Sequence, residues 1–210
     1  MVFPHPLSPT MKPTLADTVY EKLRDAIVNG EMASGEILLE QGIAQSYGIS
    51  KVTAREILQR LCSGKYLVSY PRKGYLINEI TAYQAKQLQR VRYQVEAFAI
   101  REIIKHCTDA EIATLREILN IEKTGSDPYD TINSRFHLRV AKLSGSPYIF
   151  DSMYGFMGPI CRYAITNASQ GGFNIEDSRH PAIVQALLNR DVTDALENLR
   201  IDLQLTPEEI

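Results

Sequence analysis

The sequence has few of the features that hold extracellular or membrane proteins together. Its three cysteines, Cys62, Cys107 and Cys161, form no C-x-x-C pair, so neither a disulfide framework nor a cysteine zinc site is indicated. We expect them to be small buried apolar residues. No apolar run approaches the roughly 20 residues of a membrane helix, and the first residues lack the basic and apolar regions of a signal peptide. These absences predict a cytoplasmic protein.

The composition is that of an ordinary globular chain. Of its 210 residues, 44% are hydrophobic and 23% are charged, which excludes collagen-like, mucin-like and disordered classes. The length allows two modest domains or one large one. Residues 1–13 contain four prolines and are predicted to form a flexible arm, because proline interrupts helices.

Charge divides the chain into two parts. The net charge of −2 would not by itself suggest an acidic partner such as DNA. Residues 41–78, however, carry six basic residues against one acidic residue, whereas residues 79–210 carry 14 basic and 18 acidic residues. A basic module joined to an acidic one indicates contact with nucleic acid or membrane by one half only, and a merely solvated charged face is the alternative.

The first part of the chain shows helix periodicity and then a hairpin pattern. Leu15, Val19, Leu23 and Ile27 recur every four residues and predict a helix that ends at Asn29-Gly30. A short helix over residues 40–47 should close at Gly48.

A third helix should begin after Ser50 as its N-cap, with Ala54, Ile57, Leu58 and Leu61 pointing inward. Strands over 66–70 and 74–77 should then form a hairpin with a basic tip, Pro71-Arg72-Lys73.

This order predicts a helix-turn-helix with a wing. The third helix can enter a major groove with Lys51, Thr53, Arg55 and Gln59 on its outer face. At the hairpin tip, Lys73 can bind a phosphate, and Gly74 would let the backbone come close to DNA. Arg60 has two open interpretations, phosphate contact or solvent exposure. The alternative for the whole module is a winged helix used for protein contacts only.

Several motifs resemble the winged-helix domain of the GntR transcription regulators. They are Val19 to Ile27, Gly30-Glu31, Gly35-Glu36, Gly48-Ile49-Ser50-Lys51, Arg55-Glu56 and Pro71-Arg72-Lys73-Gly74. Two positions depart from the family pattern: Lys51 stands where arginine is common, and Gln41 replaces an arginine of the second helix. Lysine lacks the bidentate fork, so base preference should differ from that of relatives. The resemblance implies this set of DNA-binding residues: Gln41, Ser50, Lys51, Thr53, Arg55, Gln59, Arg72, Lys73 and Gly74.

The remainder of the chain predicts an all-helical bundle. Capping boxes at Thr81-x-x-Gln84 and Thr108-x-x-Glu111, and cap-proline pairs at Asp127-Pro128 and Ser146-Pro147, indicate helix starts. The six predicted helices cover residues 82–106, 109–123, 128–143, 147–167, 177–189 and 191–204.

Four polar residues of the bundle are candidate metal ligands. Asn133 and His137 are four residues apart and share a helix face, His180 opens a later helix, and Asp202 lies near the end of the last one. One amide oxygen, two imidazoles and a carboxylate suit a divalent transition metal. From spacing alone, a buried histidine bonded to a neighbouring side chain is the favoured interpretation.

Residues 84–204 also resemble the FCD ligand-binding domain of one GntR branch, and six helices suit its VanR-like subgroup. Asn133-Ser134-Arg135-Phe136-His137 corresponds to the Asp-x-x-Phe-His motif, His180 to a second histidine, and Asp202 to the position of a third. The resemblance implies one zinc, nickel or manganese ion, although the short, anionic Asp202 replaces a longer nitrogen ligand. The implied domains are the arm at 1–13, the winged helix at 14–78, a linker at 79–83 and the FCD domain at 84–210.

Two arginines are candidates for holding the carboxylate of an effector. Arg92 matches an arginine that recurs in the FCD pattern. Arg162 lies in a mostly apolar helix, where an inward guanidinium needs an anion from a side chain or a ligand. Surface salt bridges are the alternative for both.

The sequence thus predicts a mainly helical, homodimeric transcription regulator, most simply a repressor, that binds a palindromic operator under the control of a small carboxylate. Two competing hypotheses stay open. One is a metal-dependent hydrolase that carries a DNA-binding module, and the other is an architectural DNA-binding protein without an effector.

Overall fold

The structure of the protein is a computed structural model that describes residues 14–32, 35–119, 132–166 and 178–210. It is mainly helical, as predicted. The elements, in chain order, are α1 (Leu15–Val28), β1 (Ile37–Leu38), α2 (Glu40–Tyr47), α3 (Lys51–Ser63), β2 (Leu67–Tyr70), β3 (Gly74–Ile77), α4 (Ala82–His106), α5 (Asp109–Leu119), α6 (Ile132–Leu143), α7 (Pro147–Thr166), α8 (His180–Leu188), α9 (Val192–Asp202) and a 3₁₀ helix (Pro207–Glu209). The predicted arm lies outside the described residues.

The helices of the N-terminal domain begin and end where local side chains satisfy their termini. Thr14 and Asp17 form a reciprocal capping box at the start of α1, and Gly48 closes α2 in the left-handed conformation, at φ +62°. Ser50 caps α3 through a 3.0 Å hydrogen bond from the Thr53 amide. Leu15 departs from the predicted apolar stripe: its side chain is 62% exposed, because the first turn of α1 extends beyond the core.

A three-stranded sheet forms the wing, one strand more than the sequence predicted. Its order is β1-β3-β2, with both pairs antiparallel, and Ile37 lies opposite Leu76. The predicted hairpin is confirmed, with Tyr70 opposite Gly74. β1 was not predicted because two residues are too few to show strand alternation.

The second domain packs its helices around α4, the longest of them at 25 residues. Both predicted capping boxes are present: Thr81 pairs with Gln84, and Thr108 pairs with Glu111. α4 packs against α6, α7, α8 and α9. The last two residues of the predicted linker, 82 and 83, belong to α4.

Some predicted helix limits differ from the observed ones. α8 begins at His180 rather than at residue 177, since residues 178–179 are not helical. α9 ends at Asp202 rather than at residue 204, since Gln204 adopts φ +55°. The predicted helix ends near residues 123 and 167 lie outside the described residues, as does the predicted helix start at Asp127-Pro128. Six helices are described in this domain, and membership of the VanR-like subgroup stays a prediction. Within the described ranges, no helix has the length and apolarity needed to span a membrane.

The two domains contact each other through α1 and α7. A Cβ atom added to Gly158 would lie only 2.4 Å from the Tyr66 ring, so this ring packs against bare helix backbone. One turn later, Arg162 Nη1 donates a hydrogen bond to the Ile27 carbonyl oxygen. α7 therefore presents one face to the DNA-binding domain.

Candidate metal centre and DNA-binding surface

Four side chains from three helices converge inside the bundle. α6 supplies Asn133 and His137, the start of α8 supplies His180, and the end of α9 supplies Asp202. His137 Nε2 lies 3.2 Å from Asn133 Oδ1 and 3.1 Å from Asp202 Oδ2. His180 Nε2 lies 3.1 Å from Asn133 Oδ1, 3.2 Å from His137 Nε2 and 3.5 Å from Asp202 Oδ2. The four predicted ligands are thus brought together.

These separations fit a set of ligands better than a set of hydrogen bonds. His137 Nε2 faces three groups at once, yet a ring nitrogen carries at most one proton. Ligands bonded at about 2.05 Å around a tetrahedral ion are about 3.3 Å apart. Nearly all the donor-atom distances in the cluster lie close to that value. The arrangement therefore suits a cation bound by all four side chains.

The short stem of Asp202 still reaches the cluster. Its Oδ1 accepts a 2.8 Å hydrogen bond from the Arg179 amide, which leaves Oδ2 directed at both imidazoles. Burial acts to raise the pKa of Asp202, but the hydrogen bonds with His137 and His180 outweigh it and hold the pKa far below its ordinary value. Asp202 is therefore a carboxylate at neutral pH, which is the form that binds a metal ion.

The two histidines are held differently. Burial is the largest influence on His180 and lowers its pKa, so the imidazole is neutral near pH 7. Phe136 stacks on its ring with centroids 4.1 Å apart. For His137, burial and Arg92 act to lower the pKa, but Glu96 and Asp202 raise it above its ordinary value.

A residue that the sequence analysis did not assign to the site, Glu96, orients His137. Its Oε2 lies 2.6 Å from His137 Nδ1, and its Oε1 accepts a 2.5 Å hydrogen bond from Arg92 Nε. A carboxylate on the outer nitrogen of a ligating histidine fixes the ring and its tautomer. The spacing Arg92-x-x-x-Glu96 could have indicated from the sequence that Glu96 lies beside Arg92, because residues four apart share a helix face.

Arg92 lies next to the cluster with one donor unused. Its side chain is fully buried, and Nη1 donates to Gln89 Oε1 at 3.2 Å. Nη2 is buried without a hydrogen-bond partner. Arg92 thus forms a salt bridge with Glu96, but a buried one rather than the surface salt bridge given as the alternative, and its role in holding an effector stays a prediction.

Arg162 does not join this cluster. Nη1 donates to the Ile27 carbonyl oxygen, and Nη2 lies 3.4 Å from Glu79 Oε1. Two of its guanidinium nitrogens contact residues outside the cluster, and direct effector binding by Arg162 stays a prediction. Periodicity showed that Arg162 is buried but could not show which neighbour it meets.

Most of the predicted DNA-binding residues are exposed, on α2, on α3 and its N-cap, and at the tip of the wing. The exposed side chains are Gln41, Ser50, Lys51, Arg55, Gln59, Arg72 and Lys73, while Thr53 is half-buried. Arg60 faces elsewhere: it pairs with Asp17 at 2.9 Å and stacks over Tyr20 at 4.2 Å. Arg60 thus connects α3 to α1 while its side chain stays partly exposed to solvent, and phosphate contact by Arg60 stays a prediction.

Arg55 already has a partner on the protein. Glu40, at the start of α2, accepts hydrogen bonds from Arg55 Nε at 2.7 Å and Nη2 at 3.0 Å. The Tyr75 hydroxyl donates to the same carboxylate at 3.4 Å. Arg55 is predicted to read DNA, and it must share or leave Glu40 to do so.

Gly74 has a structural role that the sequence did not predict. A Cβ atom at this position would lie 2.7 Å from the Leu38 carbonyl oxygen, and φ is +119°. β1 and Leu39 lie close to Gly74, so the fold itself requires the absence of a side chain here. Close approach of this backbone to DNA stays a prediction.

Comparison with known proteins agrees with this architecture. The model of bacterial regulatory proteins of the gntR family matches residues 15–77, and the FCD domain model matches residues 87–204. The chain is 26% identical over 153 residues to the HTH-type transcriptional regulator McbR of Escherichia coli K12, covering 69% of each protein. It is 27% identical over 133 residues to the gluconate operon transcriptional repressor of Bacillus subtilis, covering 61% of this chain and 54% of that one.

Solved structures show the same fold. The E. coli McbR/YncC structure superposes with a TM-score of 0.72 at 21% identity, covering 91% of this chain and 94% of that one. A GntR regulator from Rhodococcus sp. RHA1 gives a TM-score of 0.69 at 21% identity, with 90% and 93% coverage. All these relatives are transcription regulators, so the hydrolase alternative has no support. The chain belongs to the gntR family of bacterial regulatory proteins, as a DNA-binding transcription regulator with an FCD domain.

Proposed function

We propose that the protein is a cytoplasmic, homodimeric repressor whose operator affinity is set by a small carboxylate that binds beside a divalent metal ion in the FCD domain. The observation that carries this proposal is the buried cluster of Asn133, His137, His180 and Asp202, next to the unpartnered Nη2 of Arg92. A buried polar cluster beside an unpartnered guanidinium N–H supports a site for an anionic effector.

The residues fit the ion that the FCD family implies. Asn133, His137, His180 and Asp202 would hold it, and Glu96 would orient His137. Two nitrogen and two oxygen donors suit zinc, nickel or manganese. When bound, the ion supplies positive charge that attracts an anionic ligand.

Arg92 favours a carboxylate as that ligand. A buried guanidinium with a free N–H recognises a carboxylate oxygen through a charge-assisted hydrogen bond. Arg92 is fixed by Glu96 and Gln89, so Nη2 needs little reordering when a ligand arrives. The name of the gluconate operon repressor is consistent with both repression and a carboxylate.

α7 provides a physical route from this site to the DNA-binding domain. Ser134, which follows Asn133, contacts Cys161 of α7 at 3.2 Å between Oγ and Sγ. The next residue, Arg162, contacts α1. A ligand that binds one arrangement of α6 and α7 better than another would change DNA affinity by that difference in free energy. In a two-fold dimer, the same shift would act on both halves of a palindromic operator.

The test has two steps. Protein purified without chelator should contain up to one ion per chain, and His137→Ala should contain none. A thermal-unfolding screen of small mono-, di- and tricarboxylates should then show stabilisation by one class, dependent on zinc, nickel or manganese, because a ligand that binds only the folded state stabilises it. Equal ion content in both proteins would contradict the metal site. Carboxylate stabilisation that survives removal of the metal by a chelator would contradict a role of the metal ion in binding the carboxylate.

A further inference from the structure

We propose that Val52 determines part of the operator sequence by contacting the 5-methyl group of a thymine in the major groove. Val52 is the second residue of α3, and its side chain is 65% exposed. The proposal rests on the DNA-binding function of the winged helix and names an apolar base contact beside the polar ones predicted from the sequence.

The fold itself makes no use of the Val52 side chain. The apolar residues on the inner face of α3, Ala54, Ile57, Leu58 and Leu61, are all 0% exposed. In α3, which is described throughout, Val52 is the one large apolar side chain that is exposed. Single exposed apolar residues are ordinary on protein surfaces. Val52 differs by its position, since the first turn of a recognition helix is the part that contacts base edges.

Several polar neighbours of Val52 have partners on the protein, which they must share or leave to contact DNA. Arg55 donates two hydrogen bonds to the Glu40 carboxylate, from Nε at 2.7 Å and from Nη2 at 3.0 Å. The Thr53 hydroxyl lies 2.8 Å from the Ser50 hydroxyl. Lys51 is exposed but carries a point charge without a fork, so it fixes base identity less sharply than arginine. Hydrogen bonds from the first turn of α3 therefore do not account for all of the expected sequence preference, and an apolar contact can contribute to it.

Thymine is the base that an isopropyl group fits. The four base pairs differ in their major-groove edges, and the C5-methyl group of thymine is the apolar feature among them. An isopropyl group gains nothing from a phosphate, and placing it on an amino or carbonyl edge would leave that group without a hydrogen-bond partner. Contact between the two apolar groups removes both from water.

The experiment compares thymine with deoxyuridine, which keeps the hydrogen-bonding groups and lacks the methyl. The full chain first selects duplexes from a randomised pool, and each thymine of the selected half-site is then replaced in turn. At one position per half-site, replacement should weaken binding of the unsubstituted protein about fourfold. Val52→Ala should bind both duplexes nearly equally, and Val52→Thr, which keeps one methyl, should lie between them.

Val91→Ala is the matched control, because Val91 is 51% exposed on α4 of the FCD domain. It should respond to deoxyuridine as the unsubstituted protein does. If every thymine replacement affects Val52→Ala and the unsubstituted protein equally, Val52 does not read a methyl group, while DNA binding by the domain stands. If no sequence is enriched from the pool, both this proposal and the operator-binding function are overturned.

Discussion

Arg162 on α7 donates a hydrogen bond to the carbonyl oxygen of Ile27, in the last turn of α1. Carbonyl groups at a helix C-terminus lack partners within the helix and carry partial negative charge, so a guanidinium is well suited to bind them. The FCD domain thereby contacts the DNA-binding domain through a buried charged group. Through the preceding residue, Cys161, α7 also contacts Ser134, which is next to Asn133 of the candidate metal centre.

Replacing Arg162 with Leu should weaken the coupling between the two domains, so that each unfolds more independently of the other. We expect the free energy of unfolding to fall by about 2 kcal/mol, the usual size for a lost hydrogen bond to a charged group. Calorimetry should resolve two unfolding transitions, and a bound carboxylate should no longer change operator affinity. Metal content should stay unchanged. Arg101→Leu, which removes an exposed arginine of α4, is the control, and a full effector response in Arg162→Leu would contradict the coupling.

Glu96→Gln should weaken metal binding without removing a ligand. The amide cannot hold His137 Nδ1 and Arg92 Nε as strongly as the carboxylate does, and loss of such an outer contact lowers metal affinity by about 10- to 100-fold. Competition with a chromophoric chelator measures the affinity directly. Glu102→Gln changes a carboxylate on the same helix that contacts His106 instead, at 3.7 Å. Equal metal affinity in the two variants would show that Glu96 does not support the site.

Arg55→Ala should abolish operator-specific binding. The substitution removes a predicted base contact and also the ion pair that holds α2 against α3. Arg60→Ala should leave specificity intact, because Arg60 binds Asp17 and Tyr20 rather than facing the groove. Electrophoretic mobility shifts at one moderate salt concentration compare the two variants. Unchanged affinity of Arg55→Ala for its operator would remove α3 as the recognition helix.

Lys73→Ala should weaken binding to all duplexes to a similar degree. Lys73 is exposed at the tip of the wing, where it is placed to contact a phosphate rather than a base. Its loss should reduce the slope of log affinity against log salt concentration by about 1. Fluorescence anisotropy titrations at several salt concentrations give this slope for the operator and for an unrelated duplex. Lys105→Ala, an exposed lysine of α4, should leave the slope unchanged.

Gly74→Ala should destabilise the winged helix. The new Cβ atom would lie 2.7 Å from the Leu38 carbonyl oxygen, in a backbone conformation that side chains rarely adopt. Displacement of β1 should lower the free energy of unfolding by about 2 kcal/mol or more. Gly42→Ala is the opposite case: Gly42 lies within α2 with no neighbour to a new Cβ within 4 Å, and alanine should stabilise that helix by about 0.5–1 kcal/mol. Chemical denaturation compares them, and equal shifts would contradict the steric argument.

The sequence alone predicted the winged helix, most helix starts and the four residues of the candidate metal centre. Helix periodicity placed Ile57 and Leu61 in the core, and the caps at Ser50 and Thr81 are satisfied by residues three positions away. These signals are local, because a helix terminus is stabilised by its own neighbours along the chain. The assignment of Asn133, His137, His180 and Asp202 as one set came from the family resemblance.

Tertiary structure decided how distant residues meet. Asp202 reaches His137, 65 positions away, because α9 packs so that the Arg179 amide holds one carboxylate oxygen and directs the other inward. Arg162 meets Ile27 across 135 positions, and Gly74 is constrained by a two-residue strand that has no periodicity of its own. Neighbouring residues specify where helices and turns form, but only packing of the completed elements sets which side chains lie within 3 Å of each other.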